Sequence, residues 1–353
     1  MSIDDLRQAI DELDDSILQL LSRRAEKVQE VGRLKGQARR EVFDPARERR
    51  ILDRLLACNP GPLSPAAVED IFAAIIAAGR LLEKQLTIAY YGPAGTFTHL
   101  AARKKFGSAD LRAYDSIGEV FVAVEKKEAD LGVVPIENST GGVVPLTLDA
   151  FLESKLRISA EVYVDIEQFL LSRAPSLDAV KKVYSHPQPL QQCRIWLRTH
   201  LPRAELIAVG STSHAAEVAA AEPDAAAVGP ELAGQLHNLP VLVPRIHDQA
   251  DNRTRFFVIG PSPAPPSGRD KTSLLFMLPH EAGSLYRALA VLAEHQVNMT
   301  FIQSHPTKQT HWEYLFFVDV EGHAADAGLH EALAALEART RVLRVLGSYP
   351  EAL

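Results

Sequence analysis

The chain has 353 residues, a formal net charge of −7 and two cysteines. Its length predicts two or three domains, and its composition, 46% hydrophobic and 24% charged, is typical of a globular protein in water. The acidic balance disfavours a general nucleic-acid binder. The acidic N-terminus is unlike a signal peptide and no run resembles a membrane span. Cys58 and Cys193 are far apart in sequence and lack metal-ligand spacing, which disfavours a disulfide scaffold and a zinc site. We therefore expect a protein of the reducing cytoplasm.

The first segment is predicted to be entirely helical. Apolar residues recur at alternating steps of three and four over residues 3–34, which indicates one long amphipathic helix. Asp44 and Pro45 have the residue types of an N-cap and a first helical position, and Ser64 opens a third helix that runs to Glu83. Three helices of this size, one of them very long, need a partner chain to bury their faces, which predicts a homodimer or a larger assembly.

Two cations on the long helix indicate an anion site. Arg24 falls in the apolar seam seven residues after Ile17, where a charge is costly unless an anion neutralises it. Lys35 follows by about three turns and projects from nearly the same face. Arg7 lies on another face, ~25 Å from Arg24 along the helix, and reaches the same site only from an antiparallel partner chain. The alternative is a solvated row of charges.

From Leu86 onward, short runs of branched apolar residues alternate with helical stretches. This order predicts an α/β domain with parallel sheets and a ligand at the carboxyl ends of the strands. Two polar clusters follow predicted strands and a third immediately precedes one. All three are candidates for that site, although each is also compatible with turn chemistry. They are Glu137, Asn138, Ser139 and Thr140; Ser185, His186, Gln188 and Gln192; and Asn252, Arg253, Thr254 and Arg255.

A stretch rich in Pro, Ser and Gly ends at Lys271 and is predicted to be a linker. The strand and helix patterns that follow have the order βαββαβ, which is typical of a ferredoxin-like sandwich. We therefore expect a helical domain over residues 1–85, an α/β domain over 86–262, a linker over 263–271 and a third domain over 272–353.

The residues of the first segment resemble a known family. LRQAIDELDDSILQLLSRRAEKVQEVGRLK followed by FDPARERRIL is similar to the all-α chorismate mutases in residues and spacing. The resemblance implies cations for the substrate carboxylates, a lysine for the ether oxygen and acids for the ring hydroxyl: Arg7 of the partner subunit, Arg24 and Arg47; Lys35; Asp44 and Glu48. Glu83, where some relatives have Gln, donates a hydrogen bond to the ether oxygen only when protonated, which predicts a mutase activity that falls as pH rises.

The second segment resembles the prephenate dehydratases, most specifically in Thr254-Arg255-Phe256. The resemblance implies two hinged α/β lobes like those of a periplasmic binding protein, with the active site in the cleft. Thr254 is the leading catalytic residue, as a hydrogen-bond donor to the departing hydroxyl, and Glu137 is the alternative acid. Residues expected to bind substrate are Asn138, Ser139, Thr140, Ser185, Gln192 and Arg255, the last as a carboxylate clamp or a structural ion pair.

The third segment resembles the ACT regulatory domains, which bind an amino acid at an edge-to-edge interface. The resemblance implies effector contacts at Gly283, Ser284, Leu285, Asn298, Gln303 and Ser304. The usual relatives read Glu-Ser-Arg-Pro where this chain has Gln303-Ser304-His305-Pro306. Inhibition by phenylalanine is therefore expected with altered strength, and the alternative is a domain that only dimerises.

The sequence thus predicts a bifunctional enzyme that converts chorismate to prephenate and prephenate to phenylpyruvate, with no metal or other cofactor and no nucleic-acid or membrane partner. Two alternatives stay open. One is a dehydratase whose helical segment is only a dimerisation arm. The other is a non-catalytic amino-acid-binding sensor, since hinged α/β lobes with a sensor domain also suit a receptor.

Overall fold

The computed structural model describes residues 2–38, 41–249, 251–306 and 314–352. The chain separates into two compact units: Met1–Leu86 with Phe106–Asp110, and the remainder. The first unit contains α1 (Ile3–Gln37), α2 (Pro45–Ala57) and α3 (Pro65–Glu83).

Local capping explains where α2 and α3 begin, as the sequence predicts. Asp44 Oδ1 accepts from Arg47 N, and Ser64 Oγ accepts from Ala67 N. Helix α3 packs against both α1 and α2. No residue of α1 is buried, and Ile3, Ile10 and Ile17 are all more than half exposed, so its apolar face is uncovered in a single chain.

The second unit begins with a lobe that contains these elements in chain order: β1 (Thr87–Tyr91), α4 (Phe97–Phe106), β2 (Asp110–Tyr114), α5 (Ile117–Glu125), β3 (Leu131–Asn138), β4 (Gly142–Val143), α6 (Pro145–Glu153) and β5 (Arg157–Asp165). The chain then builds a second lobe: β6 (Phe169–Ser172), a 3₁₀ turn (Leu177–Ala179), β7 (Lys182–Ser185), α7 (Pro187–Gln192), α8 (Arg194–His200), β8 (Glu205–Ala208), α9 (Thr212–Ala221), β9 (Ala225–Gly229), α10 (Glu231–Leu236) and β10 (Val241–Val243). It returns to the first lobe as β11 (Arg253–Gly260).

The two sheets have the orders β2-β1-β3-β11-β5 and β10-β6-β9-β7-β8. The prediction of parallel sheets is only partly right, because β11 runs antiparallel to both β3 and β5. Strand β5 leads out of the first lobe, and β11 leads back into it from the second lobe. Strand β11 therefore runs opposite to β5 and to β3. Its amino end therefore meets the carboxyl end of β3. The edge strand β2 has no buried residue, which explains why its sequence carries no apolar signal.

The remaining chain forms β12 (Asp270–Met277), α11 (Ser284–Glu294), β13 (Met299–Pro306), β14 (Tyr314–Glu321), α12 (Ala327–Glu337) and β15 (Val342–Pro350). Their sheet order, β13-β14-β12-β15, confirms the predicted ferredoxin-like fold. Strand β12 begins at Asp270, so the last two residues of the expected linker belong to the sheet. We call this third part the sensor domain.

The sensor domain packs directly on the first lobe. Phe257, Phe317 and Tyr349 belong to one apolar core that spans both. A side chain at Gly347 would collide with the backbone of Ile158, so β15 lies against β5 with no space between them. Arg344 also donates to the backbone oxygens of the last turn of α6 and of Ser154.

A buried charged group, which we call the Arg255 cluster, crosses the same interface: Arg255, Glu161, Lys271, Asp319 and Tyr349. Arg255 Nε donates to Glu161 Oε2 at 2.8 Å, Nη1 donates to Asp319 Oδ2, and Nη2 donates to the Tyr349 hydroxyl at 2.9 Å. Lys271 Nζ completes the group at 3.0 Å from Glu161 Oε1. Both carboxylates are at most 1% exposed. The free-energy cost of burying their charges is therefore offset by these cations.

This arrangement predicts that Arg255→Ala lowers the free energy of unfolding by about 3–5 kcal/mol, since it leaves buried carboxylates without their main partner. The matched control is Arg253→Ala, two residues earlier on the same strand. Arg253 is half exposed in its pair with Asp165, and such surface pairs contribute about 0–1 kcal/mol. Urea unfolding of both variants measures the difference, and equal midpoints would contradict the role given to the cluster.

Candidate active sites and sensor site

The helical unit brings two predicted catalytic residues together. Lys35 Nζ lies 2.8 Å from Glu83 Oε2 and also donates to Val42 O at 3.3 Å. The Lys35 side chain is 21% exposed and the Glu83 side chain 11%, so the pair is mostly shielded between α1 and α3. The C-terminal turn of α3 positions Glu83, and the last turn of α1 positions Lys35.

Arg24, about three turns before Lys35 on α1, also faces α3. A Cβ atom added at Gly79 of α3 would lie 3.2 Å from Arg24 Nη1. The glycine therefore leaves room for the guanidinium. Arg24 and Lys35 thus both face α3, as their spacing on α1 predicts. At a rise of ~1.5 Å per residue their backbones lie ~16 Å apart, and two cations on one face are suited to hold a small dianion between their side chains.

The other predicted mutase residues have local partners. Asp44 caps α2, Arg47 is exposed, and Glu48 pairs with Arg80 Nη1 at 3.0 Å. Arg7 is exposed near the far end of α1, where Nη1 lies 3.5 Å from Asp4. The structure therefore gathers Arg24, Lys35, Glu48 and Glu83 around α3 and leaves Arg7 on the uncovered face.

In the second unit, a cavity of about 650 Å³ lies between the two lobes. Its lining comes from the turn after β3, from α7 and the start of α8, and from the segment that leads into β11. These residues are Thr140, Gly141, Gln188, Gln191, Gln192, Arg194, Ile195, His247, Asp248, Gln249 and Asn252. The cavity is rich in amides and holds few charges, as suits a polar anionic substrate.

Asn138 organises the wall of this cavity. Its Oδ1 accepts from Thr140 N at 3.1 Å, Thr140 Oγ1 at 2.7 Å and Gly141 N at 2.7 Å. Its Nδ2 donates to Asn252 Oδ1 and Thr254 Oγ1, both at 2.8 Å. Asn138, Asn252 and Thr254 are each less than 10% exposed, so these bonds are sheltered from competing water.

The register of β3 and β11 divides the candidate residues between two faces. Thr254 lies opposite Asn138, and Arg255 lies opposite Glu137. Because successive side chains of a strand point to opposite faces, Asn138 and Thr254 face the cleft while Glu137 and Arg255 face the sensor domain. Arg255 is held there by its cluster, which favours the structural ion pair over the carboxylate clamp.

Glu137 meets one requirement of an alternative acid and misses the other. Burial raises the pKa of its carboxyl, with a further increase from Asp319 and opposition from Arg255 and Lys271. These same neighbours, however, show that the carboxyl lies beside the Arg255 cluster and on the face away from Thr254. A proton carried by Glu137 is therefore poorly placed for a substrate in the cleft.

The remaining predicted dehydratase residues have different surroundings. Ser185 is fully buried and donates to Val228 O at 2.6 Å. Ser139 accepts from Arg253 N at 2.9 Å and donates to Asp251 O, which ties the end of β3 to the start of β11. Gln192 lines the cavity, and the buried Gln168 donates to its Oε1 at 3.0 Å. Sequence reasoning missed Gln168, an isolated polar residue between two apolar strands.

Cys193, beside the cavity, is not poised as a nucleophile. Burial raises the pKa of its thiol to about 12, and the carboxylate of Asp248 adds to the shift. The residue is therefore a protonated thiol at neutral pH and acts as core packing.

The predicted effector residues lie on two neighbouring parts of the sensor domain. Gly283 adopts a left-handed conformation (φ 79°) at the start of α11, followed by the buried Ser284 and the partly exposed Leu285. Asn298 donates to Glu321 Oε1, and Gln303 donates to Ser304 O. His305, next along β13, lies with Nε2 2.8 Å from Asp149 Oδ1 on α6 of the first lobe.

Within the described ranges, no group of three or more His, Cys, Asp or Glu side chains could hold a metal ion. Across the same part of the chain, no helix is long and apolar enough to cross a membrane.

Comparisons with known proteins divide the chain in the same way. The family model for chorismate mutase type II matches residues 6–84, that for prephenate dehydratase matches 88–264, and that for the ACT domain matches 272–338. A bifunctional chorismate mutase/prephenate dehydratase from Aquifex aeolicus is 44% identical over 99% of this chain and 98% of its own length. The corresponding protein from Pseudomonas aeruginosa is 38% identical over 98% and 97%.

A solved structure supports the architecture of the second unit. The prephenate dehydratase from Arthrobacter aurescens, in complex with L-Phe, superposes with a TM-score of 0.70 at 35% identity, and covers 76% of this chain and 90% of that one.

Proposed function

Because the chain belongs to the family of bifunctional chorismate mutase/prephenate dehydratases, we propose that its two units hold two separate active sites for consecutive reactions. The helical unit rearranges chorismate to prephenate with Arg24, Lys35 and Glu83, and the cleft of the second unit converts prephenate to phenylpyruvate with Thr254 as the catalytic hydrogen-bond donor. The observation that carries the second assignment is the Asn138–Thr254 bond, because Asn138 also bonds to Thr140, Gly141 and Asn252, which line the cavity.

The mutase reaction needs orientation and electrostatic stabilisation, because it is a one-step rearrangement without a nucleophile. Arg24, with Arg47, binds the substrate carboxylates and holds the compact conformer. Lys35 donates to the ether oxygen, where negative charge grows as the bond breaks. Glu83 lies beside Lys35 and donates to the same oxygen when it carries a proton. Asp44 and Glu48 orient the ring hydroxyl.

A second copy of the chain completes this site. Most large apolar residues of α1 are exposed, from Ile3 to Leu34, and a face of this kind needs a covering surface. Two α1 helices packed antiparallel bury both apolar faces and carry Arg7 of the partner subunit to the Arg24 end of the site. We therefore assign a homodimer, in a cytoplasmic location that suits the exposed free thiol of Cys58.

In the dehydratase reaction, the bond from the ring to its carboxylate breaks and releases CO2. The electron pair moves into the ring, and the C–O bond on the opposite carbon breaks, so that an aromatic ring forms and the oxygen departs as hydroxide, which becomes water on gaining a proton. Thr254 stabilises the departing oxygen by a hydrogen bond. The side-chain carboxylate binds among the cavity amides and Arg194, the one arginine or lysine in the described lining.

The sensor domain binds phenylalanine at Gly283, Ser284, Leu285, Asn298, Gln303 and Ser304 and inhibits the dehydratase. The L-Phe complex of the Arthrobacter enzyme supports this assignment. Its coupling to catalysis is supported by the contact of His305 with Asp149 on α6, since α6 follows the turn that holds Thr140 and Gly141.

Sharing of the mutase site predicts complementation between two inactive variants. Arg7→Ala and Arg24→Ala each remove one cation from every site of a dimer, so each variant alone loses mutase activity by at least ~100-fold. Co-expressed, the two regain about one quarter of the wild-type rate, because half of the dimers are mixed and each mixed dimer keeps one intact site. Chorismate consumption measures the rate.

Prephenate dehydration by the same preparations is the control and stays at the wild-type rate. If the mixture regains nothing, Arg7 does not act from a second copy. If both single variants keep full mutase activity, Arg7 and Arg24 do not belong to the site. If even the wild type leaves chorismate unchanged while it dehydrates prephenate, the helical unit is a dimerisation arm and not an enzyme.

The role given to Glu83 is that of a hydrogen-bond donor to the ether oxygen, which predicts different results for two substitutions. Glu83→Gln keeps a donor, so mutase kcat/KM stays at or above the wild-type value, whereas Glu83→Ala lowers it by about 100-fold. Chorismate consumption measures both values, and prephenate dehydration is the control. Equal losses in the two variants would contradict the role given to Glu83.

A further inference from the structure

The side-chain amide of Asn138 has an unambiguous orientation. Its Oδ1 accepts from the backbone nitrogens of Thr140 and Gly141, and a backbone N–H can only donate. The oxygen must therefore face the turn, and the NH2 group must face β11. A flipped amide would set three donors against one another in a buried place, which is costly.

Both hydrogens of this NH2 group are committed. One is donated to Asn252 Oδ1 and the other to Thr254 Oγ1, each at 2.8 Å, while Arg253 O is a longer contact at 3.4 Å. Asn252 and Thr254 are two residues apart and so lie on the same face of the chain. Because Asn138 can only donate to Thr254, the threonine oxygen is an acceptor in this bond, and its own proton is directed elsewhere.

The proton of Thr254 has no recorded acceptor among the residues that the structure describes, and Asn138 closes one side of the hydroxyl. Thr140, Gly141 and Asn252, which are also partners of the amide, line the cavity. The free proton is therefore available to a substrate oxygen at this wall, which is the role of a donor to the departing hydroxyl.

We propose that Asn252 is a positioning residue of the dehydratase, which fixes the direction of the Thr254 hydroxyl through Asn138. By accepting one hydrogen of the Asn138 amide, Asn252 holds the other hydrogen on Thr254 Oγ1, so that Thr254 donates only toward the substrate. The proposal rests on the function proposed for Thr254. For this task Asn252 only has to accept a hydrogen bond. Asn138 has to accept bonds from the turn and also donate to Asn252 and Thr254.

This asymmetry gives opposite outcomes for one chemical change at two positions. Asn252→Asp keeps an acceptor for Asn138, so its kcat for prephenate is at least about tenfold higher than that of Asn252→Leu, although KM rises because the added charge repels an anion. Asn138→Asp keeps the acceptor of the turn but loses the donor, so Thr254 donates to the new carboxylate and kcat falls by about 100-fold. Asn252→Leu, without an acceptor, also loses kcat.

Steady-state dehydration of prephenate by the full-length enzyme measures these values, and urea unfolding of each variant checks its fold. The inference is overturned if Asn252→Asp loses as much kcat as Asn252→Leu, because the NH2 group of Asn252 is then the active part. It is also overturned if Asn138→Asp keeps its kcat. Thr254→Val separates the two levels: full kcat in this variant refutes the role of Thr254 itself, whatever the asparagine variants do.

Discussion

The antiparallel pairing of β11 with β3 is the constraint on which the second unit depends. It sets Thr254 beside Asn138 and Arg255 beside Glu137. Since neighbouring side chains of a strand point to opposite faces, one strand supplies the proposed catalytic hydroxyl to the cleft and the central cation to the interface with the sensor domain. A slip of one residue would exchange the two faces and abolish both functions.

The two units neutralise their cations in different ways. Arg255 is almost wholly buried and is compensated within the protein by Glu161 and Asp319, so its charge contributes to the fold and is unavailable to a ligand. Arg24 is only partly buried, and it faces a glycine and not an acid. A bound anion explains the position of Arg24, because a cation in an apolar seam raises the free energy of the folded state when no anion neutralises it.

Much of this organisation could be predicted from local sequence. Asp44 and Ser64 mark helix starts, because their side chains cap the next helical turn independently of contacts with distant residues. The βαββαβ order of the third domain, and the three-turn spacing of Arg24 and Lys35, also follow from periodicity alone. The polar clusters at Asn138 and Thr254 are visible because they adjoin apolar runs that form strands.

Other features depend on contacts between distant residues, which local patterns do not encode. The direction of β11 is set by its return from the second lobe, and the edge strand β2 is too exposed to carry an apolar pattern. The partners of Arg255 come from β5, β14 and β15, so sequence could not choose between a clamp and a structural pair. The proposal of Thr254 over Glu137 likewise rests on the register.

The division of β3 and β11 into a cleft face and a sensor face is tested most directly by Glu137→Gln. This change keeps the shape and the hydrogen-bonding capacity of the side chain but removes its titratable proton. With prephenate as substrate, the account predicts a dehydratase kcat within about fivefold of the wild type and an unchanged pH profile, because Glu137 lies away from the reacting atoms. A loss of about 100-fold or more in kcat would identify Glu137 as the acid and contradict the assignment of the two faces.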